Sequence, residues 1–147
     1  MRVYIDTSVF GGYFEKEFEQ WTKPFFKSIE KNIISPIVSE LTVNELEEAP
    51  VQVRNLFNEH ISKIKIVQLN DEVFHLASLY IKEKAVTQKS YDDAIHIAVA
   101  TIIKADIIVS WNFKHIVNVN RIRAYNSTNL KYGYSVIDIR TPFEFIN

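Results

Sequence analysis

The chain has 147 residues, 47% of them hydrophobic and 24% charged, enough to bury one sizeable core and too few for two comfortable domains. Three Gly and four Pro argue against a linker-rich chain, and zero Cys excludes disulfides, thiolate metal sites and cysteine nucleophiles, so any metal must be held by oxygen or imidazole. A formal charge of −1 gives no general attraction to polyanions, no apolar run reaches the roughly 18 residues of a membrane span, and the start MRVYIDTSVF has neither the pattern of a secretory signal nor that of a transit peptide. The expectation is a single domain over residues 1–147, cytoplasmic, with no membrane partner.

In chain order, Val3-Tyr4-Ile5 is a short apolar run that predicts a first strand ending at Asp6-Thr7-Ser8. Phe18 to Lys31 has helical spacing, with Pro24 tolerable if the regular helix begins near Thr22. Ile33-Ile34 with Ile37-Val38 predicts a second strand, expected to be shortened or bulged at Pro36, which cannot donate to a ladder. That strand runs into Ser39-Glu40-Leu41-Thr42-Val43-Asn44-Glu45. After Pro50, at an expected first helical position, Val53, Leu56, Phe57 and Ile61 recur at helical spacing. Ile64 to Leu69 reads as a third strand, and Val73, Leu76, Ala77, Tyr80 and Ile81 as an amphipathic helix. Ser90-Tyr91-Asp92-Asp93-Ala94-Ile95-His96-Ile97-Ala98 opens a nearly all-apolar helix. Ile107-Ile108-Val109 is the fourth strand, ending in Ser110-Trp111-Asn112; a helix carrying Arg121 and Arg123 follows, then a fifth strand over Val136 to Ile139. Apolar strands separated by helices predict an α/β fold, a small parallel sheet of about five strands with helices on both faces.

In open parallel sheets, ligands bind outside the carboxyl ends of the strands. Asp6 ends the first strand, Glu45 follows the second, Asp93 starts the helix before the fourth, and Asn112 follows the fourth. Each has a plain structural use as well. Asp6 fits a turn cap, Glu45 a capping box Thr42-x-x-Glu45, Asp93 a helix start after Ser90, and Asn112 a turn. His96, one helical turn from Asp93, reads equally as a satisfied core residue. Arg121 and Arg123 read as a solvated helix face. A phosphatase using Asp6 as nucleophile would want a second Asp two residues on, where Ser8 stands, and the Gly11-Gly12 pair lacks the Lys-Ser/Thr of a phosphate loop.

The succession YIDTSVF, SELTVNELEEA, SYDDAIHIAVA and ADIIVSWNFKHI resembles the PIN-domain family across essentially the whole chain. The resemblance implies strand order 3-2-1-4-5 and a metal-dependent endoribonuclease that hydrolyses RNA with Mg²⁺ or Mn²⁺. Many members are toxins of toxin–antitoxin pairs, which implies an antitoxin protein as partner. By position, the family's acids fall on Asp6, Glu45 and Asp93 as metal ligands; the fourth, usually Asp, falls on Asn112, an amide that brings no charge. Thr7, Ser8, Asp92, His96, Ser110, Lys114 and His115 are candidates for contacting substrate or supporting the acids. The alternative is a catalytically weak or inactive RNA-binding or protein-interaction module that kept the fold. A homodimer is expected from the family and from the aromatic run Phe10, Tyr13, Phe14 and Phe18.

Overall fold

The computed structural model describes residues 1–145. Five short strands, β1 (Arg2–Ile5), β2 (Ser35–Ser39), β3 (Lys65–Val67), β4 (Ile107–Val109) and β5 (Asp138–Arg140), form one sheet in the order β3-β2-β1-β4-β5. Every neighbouring pair is parallel. Parallel neighbours need long crossovers. These contain α1 (Thr7–Gly12), α2 (Glu19–Glu30), α3 (Glu40–Glu47), α4 (Val51–His60), α5 (Asp71–Lys82), α6 (Tyr91–Ile102) and α7 (Val119–Lys131).

The pleat divides the strand residues between two cores. Tyr4, Ile37 and Ile108 pack with Leu76, Tyr80, Ile97 and Tyr125 of α5, α6 and α7. Val3, Ile5, Val38 and Val109 pack with Phe10, Phe25, Phe26 and Phe57 of α1, α2 and α4. Side chains that alternate between two covered faces explain why the strands read as unbroken apolar runs. Among the described residues no helix is long and apolar enough to cross a membrane.

Two of three prolines sit differently from expectation. β2 is shortened as expected, starting at Ser35 rather than Ile33, and it runs through Pro36 without a bulge, in register with Val3 of β1. Ser35 N donates to Met1 O at 2.8 Å, so the nitrogen of Pro36 points to the other side, where β3 begins only with Lys65 opposite Ile37. No ladder bond exists there for proline to lose. α2 begins at Glu19, a turn earlier than Pro24 seemed to allow. The carbonyl left without its donor belongs to Gln20, which is exposed to water, while Phe25, Phe26 and Ile29 bury the opposite face of the helix. Pro50 is extended and precedes α4 as its cap, one position before the expected place.

Candidate active site

The backbone N of Asp6 donates to Val109 O at 3.0 Å, so the carboxyl ends of β1 and β4 lie side by side. Asp6 is 4% exposed and begins α1, yet its side chain makes no capping bond. Its Oδ2 instead accepts from Ser8 Oγ at 2.6 Å and from Ser110 Oγ at 2.8 Å. Those hydroxyls in turn accept from the loop after β4: Trp111 N donates to Ser8 Oγ and Asn112 N to Ser110 Oγ, both at 2.9 Å. Two backbone amides thus reach one carboxylate oxygen through two serines, leaving Oδ1 free of direct donors. Trp111 is fixed by its Nε1 bond to Thr22 Oγ1 at 2.9 Å, and it lies so close to Gly12 that a Cβ there would meet Trp111 Cδ1 at 2.5 Å.

Glu45 comes from α3. The capping bond at the start of that helix runs between Ser39 and Thr42, with Ser39 N donating to Thr42 Oγ1 at 3.3 Å, so Glu45 is not spent on a cap. Its Oε1 accepts from Thr7 Oγ1 and from His96 Nε2, each at 2.7 Å. His96 is 1% exposed and also lies 3.6 Å from Asp6 Oδ1. On its other edge, Nδ1 meets Tyr4 Oη at 2.7 Å, and Tyr4 Oη donates to Ser39 Oγ at 2.9 Å. With Nε2 facing Glu45 Oε1 and Asp6 nearby, the surroundings favour the protonated ring. Burial opposes that charge, but the Tyr4 hydroxyl, the bond to Glu45 and the charges of Asp6 and Glu45 outweigh it and hold the pKa well above the ordinary imidazole value. Burial likewise pushes Glu45 up, and its bonds to His96 and Thr7 bring it below the usual carboxylate value.

Asp93 lies in the first turn of α6, where Ser90 makes no side-chain cap. Among the described residues one hydrogen bond reaches its carboxylate: Asn112 Nδ2 donates to Oδ1 at 3.3 Å. The other end of the Asn112 amide is occupied as well, its Oδ1 accepting from His115 N at 2.9 Å. Burial and the charge of Asp6 push the Asp93 pKa up to about 6, with His96 opposing and Glu45 and Asp92 adding to the rise. Asp6, Glu45 and Asp93 therefore act on one another electrostatically at the carboxyl edge of the sheet, with Asn112 bonded to the third.

A family model described as PIN domain matches residues 2–114. The chain belongs to the PIN domain family. The VapBC2 structure from Rickettsia felis, bound to a DNA fragment from its promoter, superposes with TM-score 0.57 at 13% identity, covering 78% of this chain and 90% of that one. FitAcB from Neisseria gonorrhoeae gives TM-score 0.56 at 13% identity, covering 96% and 98%. At such identity the likeness is one of fold, and it extends over the strand order that the resemblance implied. Among curated proteins, no relative matches the sequence.

The PIN domain's donor set here is carboxylate oxygen, the chemistry that Mg²⁺ and Mn²⁺ favour over thiolate or imidazole. Asp6 Oδ1 and the Asp93 carboxylate are oxygen donors of the kind such an ion takes. Among the described residues, no three His, Cys, Asp or Glu side chains are spaced to hold one together. Of the other candidates, Thr7, Ser8, Ser110 and His96 all bond directly to the acids. Asp92 is exposed and acts on Asp93 only through its charge. Lys114 is exposed, and His115 contributes its backbone N–H rather than its ring, whose Nδ1 is buried without a partner. The sequence reading missed Tyr4 and Ser39, the residues behind His96. A tyrosine in a strand covered on both faces and a histidine in an all-apolar helix are buried polar groups that each need a partner, and that need was the available signal.

Proposed function

We propose that this PIN domain is a divalent-metal-dependent endoribonuclease, the toxin half of a toxin–antitoxin pair, restrained by an antitoxin protein and working as a homodimer in the cytoplasm. The observation that carries the reading is the gathering of Asp6, Glu45 and Asp93 at the carboxyl edge, where burial first, and then the charges of Asp6 and Glu45, push the Asp93 pKa up to about 6. The protonated form of His96 offsets the charges of Asp6 and Glu45 in part, and the repulsion that remains on Asp93 is what a bound cation would relieve. Asp6 and Asp93 are the residues to hold Mg²⁺ or Mn²⁺. The ion would lower the pKa of water and offset charge on the phosphoryl oxygens. Glu45, kept ionised, presents Oε2 as the proton acceptor for the attacking water. Asn112 orients Asp93 through its amide N–H, and the Ser8–Ser110 pair fixes the plane of Asp6.

The test incubates purified protein with a mixed RNA pool at graded Mn²⁺ and Mg²⁺, beside an EDTA control and an Asp6→Asn variant. Shortened RNA with metal, and intact RNA in both controls, is the expected result. The non-catalytic module is the second reading, favoured by one observation: the amide of Asn112 is bonded at both ends within the protein and adds no charge. Intact RNA at millimolar Mn²⁺, with no rise in melting temperature, would establish that reading instead. For the dimer, Phe10 is wholly buried within the chain, whereas Phe14 and Phe113 remain exposed and could be covered by a second copy. Light scattering at twice the 17.2 kDa chain mass is expected, and 17.2 kDa at all micromolar concentrations would reject it.

A further inference from the structure

Arg121 does not lie on a freely solvated helix face. It is half-buried in the first turn of α7, where its backbone N–H donates to Asn118 Oδ1 at 2.9 Å and its Nη1 donates to Ala85 O at 2.6 Å. Ala85 lies in the segment that leads from α5 into α6 and Asp93. Among the described residues the rest of the guanidinium donates to nothing, and neither Arg121 nor Lys114 forms an ion pair.

The turn after Asn112 brings Lys114 to the same region. Asn112 bonds Asp93 through Nδ2 and His115 N through Oδ1. Tyr125 Oη donates to His115 O at 2.9 Å, which fastens this turn to the helix that carries Arg121. Burial first, and then the charges of Lys114 and Arg121, hold His115 below the ordinary imidazole value, so both cations act on one ring. The Tyr125 phenol is pushed up by burial and by the charge of Asp93 and drawn down by that of Arg121, so acid and cation both reach one hydroxyl. A formal charge of −1 gives the chain no general attraction for RNA, and the acids repel any phosphate that a metal does not hold. A strand laid across them therefore needs local cations.

We propose that Lys114 and Arg121 form a phosphate subsite beside Asp93 and Asn112, which takes the RNA backbone phosphate next to the scissile one and so sets the register of the strand on the acids. The proposal deepens the ribonuclease reading above and rests on it for the word scissile, while the contact itself needs no metal. The free donors of the guanidinium suit phosphate oxygens, and the exposed ammonium adds a mobile charge. Contacts of this kind position a strand without reading its bases.

Fluorescence anisotropy of a labelled single-stranded RNA on the full chain, in EDTA and at graded KCl, counts such contacts. Each phosphate neutralised on a single strand adds about 0.7 to the slope of log affinity against log salt. Lys114→Gln and Arg121→Gln are each expected to lower that slope by about 0.7 and to weaken binding several-fold. Arg123→Gln removes the same charge from an exposed position on the same helix and should leave the slope unchanged. Arg121→Gln also loses the bond to Ala85, so the exposed Lys114 keeps the test independent of folding. With Mn²⁺, both variants should raise KM for RNA while kcat stays near wild type. A slope unchanged in Lys114→Gln, an equal fall in Arg123→Gln, a loss confined to kcat, or no RNA binding by the wild type overturns the subsite and leaves the cleavage test to decide the ribonuclease reading. RNA left intact with Mn²⁺, beside a slope lowered only by the Lys114 and Arg121 variants, overturns that reading and leaves the subsite standing.

Discussion

Asp6 and Asp93 are two aspartates of one cluster, held in opposite ways. Asp6 ends a central strand and is fixed through two serines to the backbone of the loop after β4. Asp93 begins a helix with one 3.3 Å amide contact, and its pKa stands near 6. The first is a carboxylate whose orientation folding has already set; the second is one whose charge is resisted by its surroundings until a cation or proton arrives. Orientation comes from hydrogen bonds made in advance, whereas responsiveness comes from leaving them unmade.

The sharpest way to break this contrast is Asp6→Asn, which removes the oriented charge and is expected to lower RNA cleavage by about 10³-fold, roughly 4 kcal/mol on the barrier, measured as kcat/KM at saturating Mn²⁺. Ser110→Ala leaves the charge but deletes a buried donor to it. Cleavage should fall by about tenfold, and the melting temperature should drop in line with about 1.5–3 kcal/mol for a bond to a charged acceptor. Asn112→Asp sharpens the contrast from the other side by setting a second carboxylate against Asp93. The metal-free protein should lose about 1 kcal/mol while the Mn²⁺-induced rise in melting temperature grows; a smaller rise than wild type would contradict the placement of Asn112 beside a metal-holding Asp93.

The smallest expected effect is that of Asp93→Asn on the metal-free fold. A folded pKa near 6, above the ordinary 3.8, means that the folded state favours the proton. Stability linked to Asp93 is therefore complete below pH 3.8 and is lost as pH rises through 6. The variant should match wild type below about pH 4 and exceed it by about 1 kcal/mol at pH 7, after allowance for solvent screening. Chemical denaturation at both pH values checks this, and a variant less stable at pH 7 would show that the Asn112 contact outweighs the repulsion.

The sheet was legible because its strands are apolar on both faces and separated by helical periods, so class and strand count followed from pattern alone. Strand ends were less so: β5 is observed at Asp138–Arg140, later than Val136 to Ile139, because period-2 burial also continues into flanking loops. The strand around Pro36 is shortened as read but not bulged, because proline's effect depends on which neighbour its nitrogen faces, a property of register rather than composition. The helix α1 went unread, since Thr7–Gly12 ends in two glycines and spans barely more than one turn. In the site, Asp6, Glu45 and Asp93 announced themselves by position at strand ends and helix starts. The bonds that distinguish them did not, because Tyr4 to His96 and Ser8 to Trp111 join segments about a hundred residues apart.

That separation orders events during synthesis. Ser110 lies 104 positions after Asp6, and β1 can pair with β4 only once residues 107–109 exist. At ~5–20 residues per second of translation, Asp6 waits on the order of 5–20 s before its second serine leaves the ribosome. Asp93 itself is made only 17 positions before Ser110, so for most of that interval the nascent chain lacks the third acid as well as the loop that orients the first. A release or proteolytic cut before Ser110 yields a fragment whose Asp6 lacks its second serine, and on the ribonuclease reading proposed above the late strand acts as a timer on when the chain can first act on RNA.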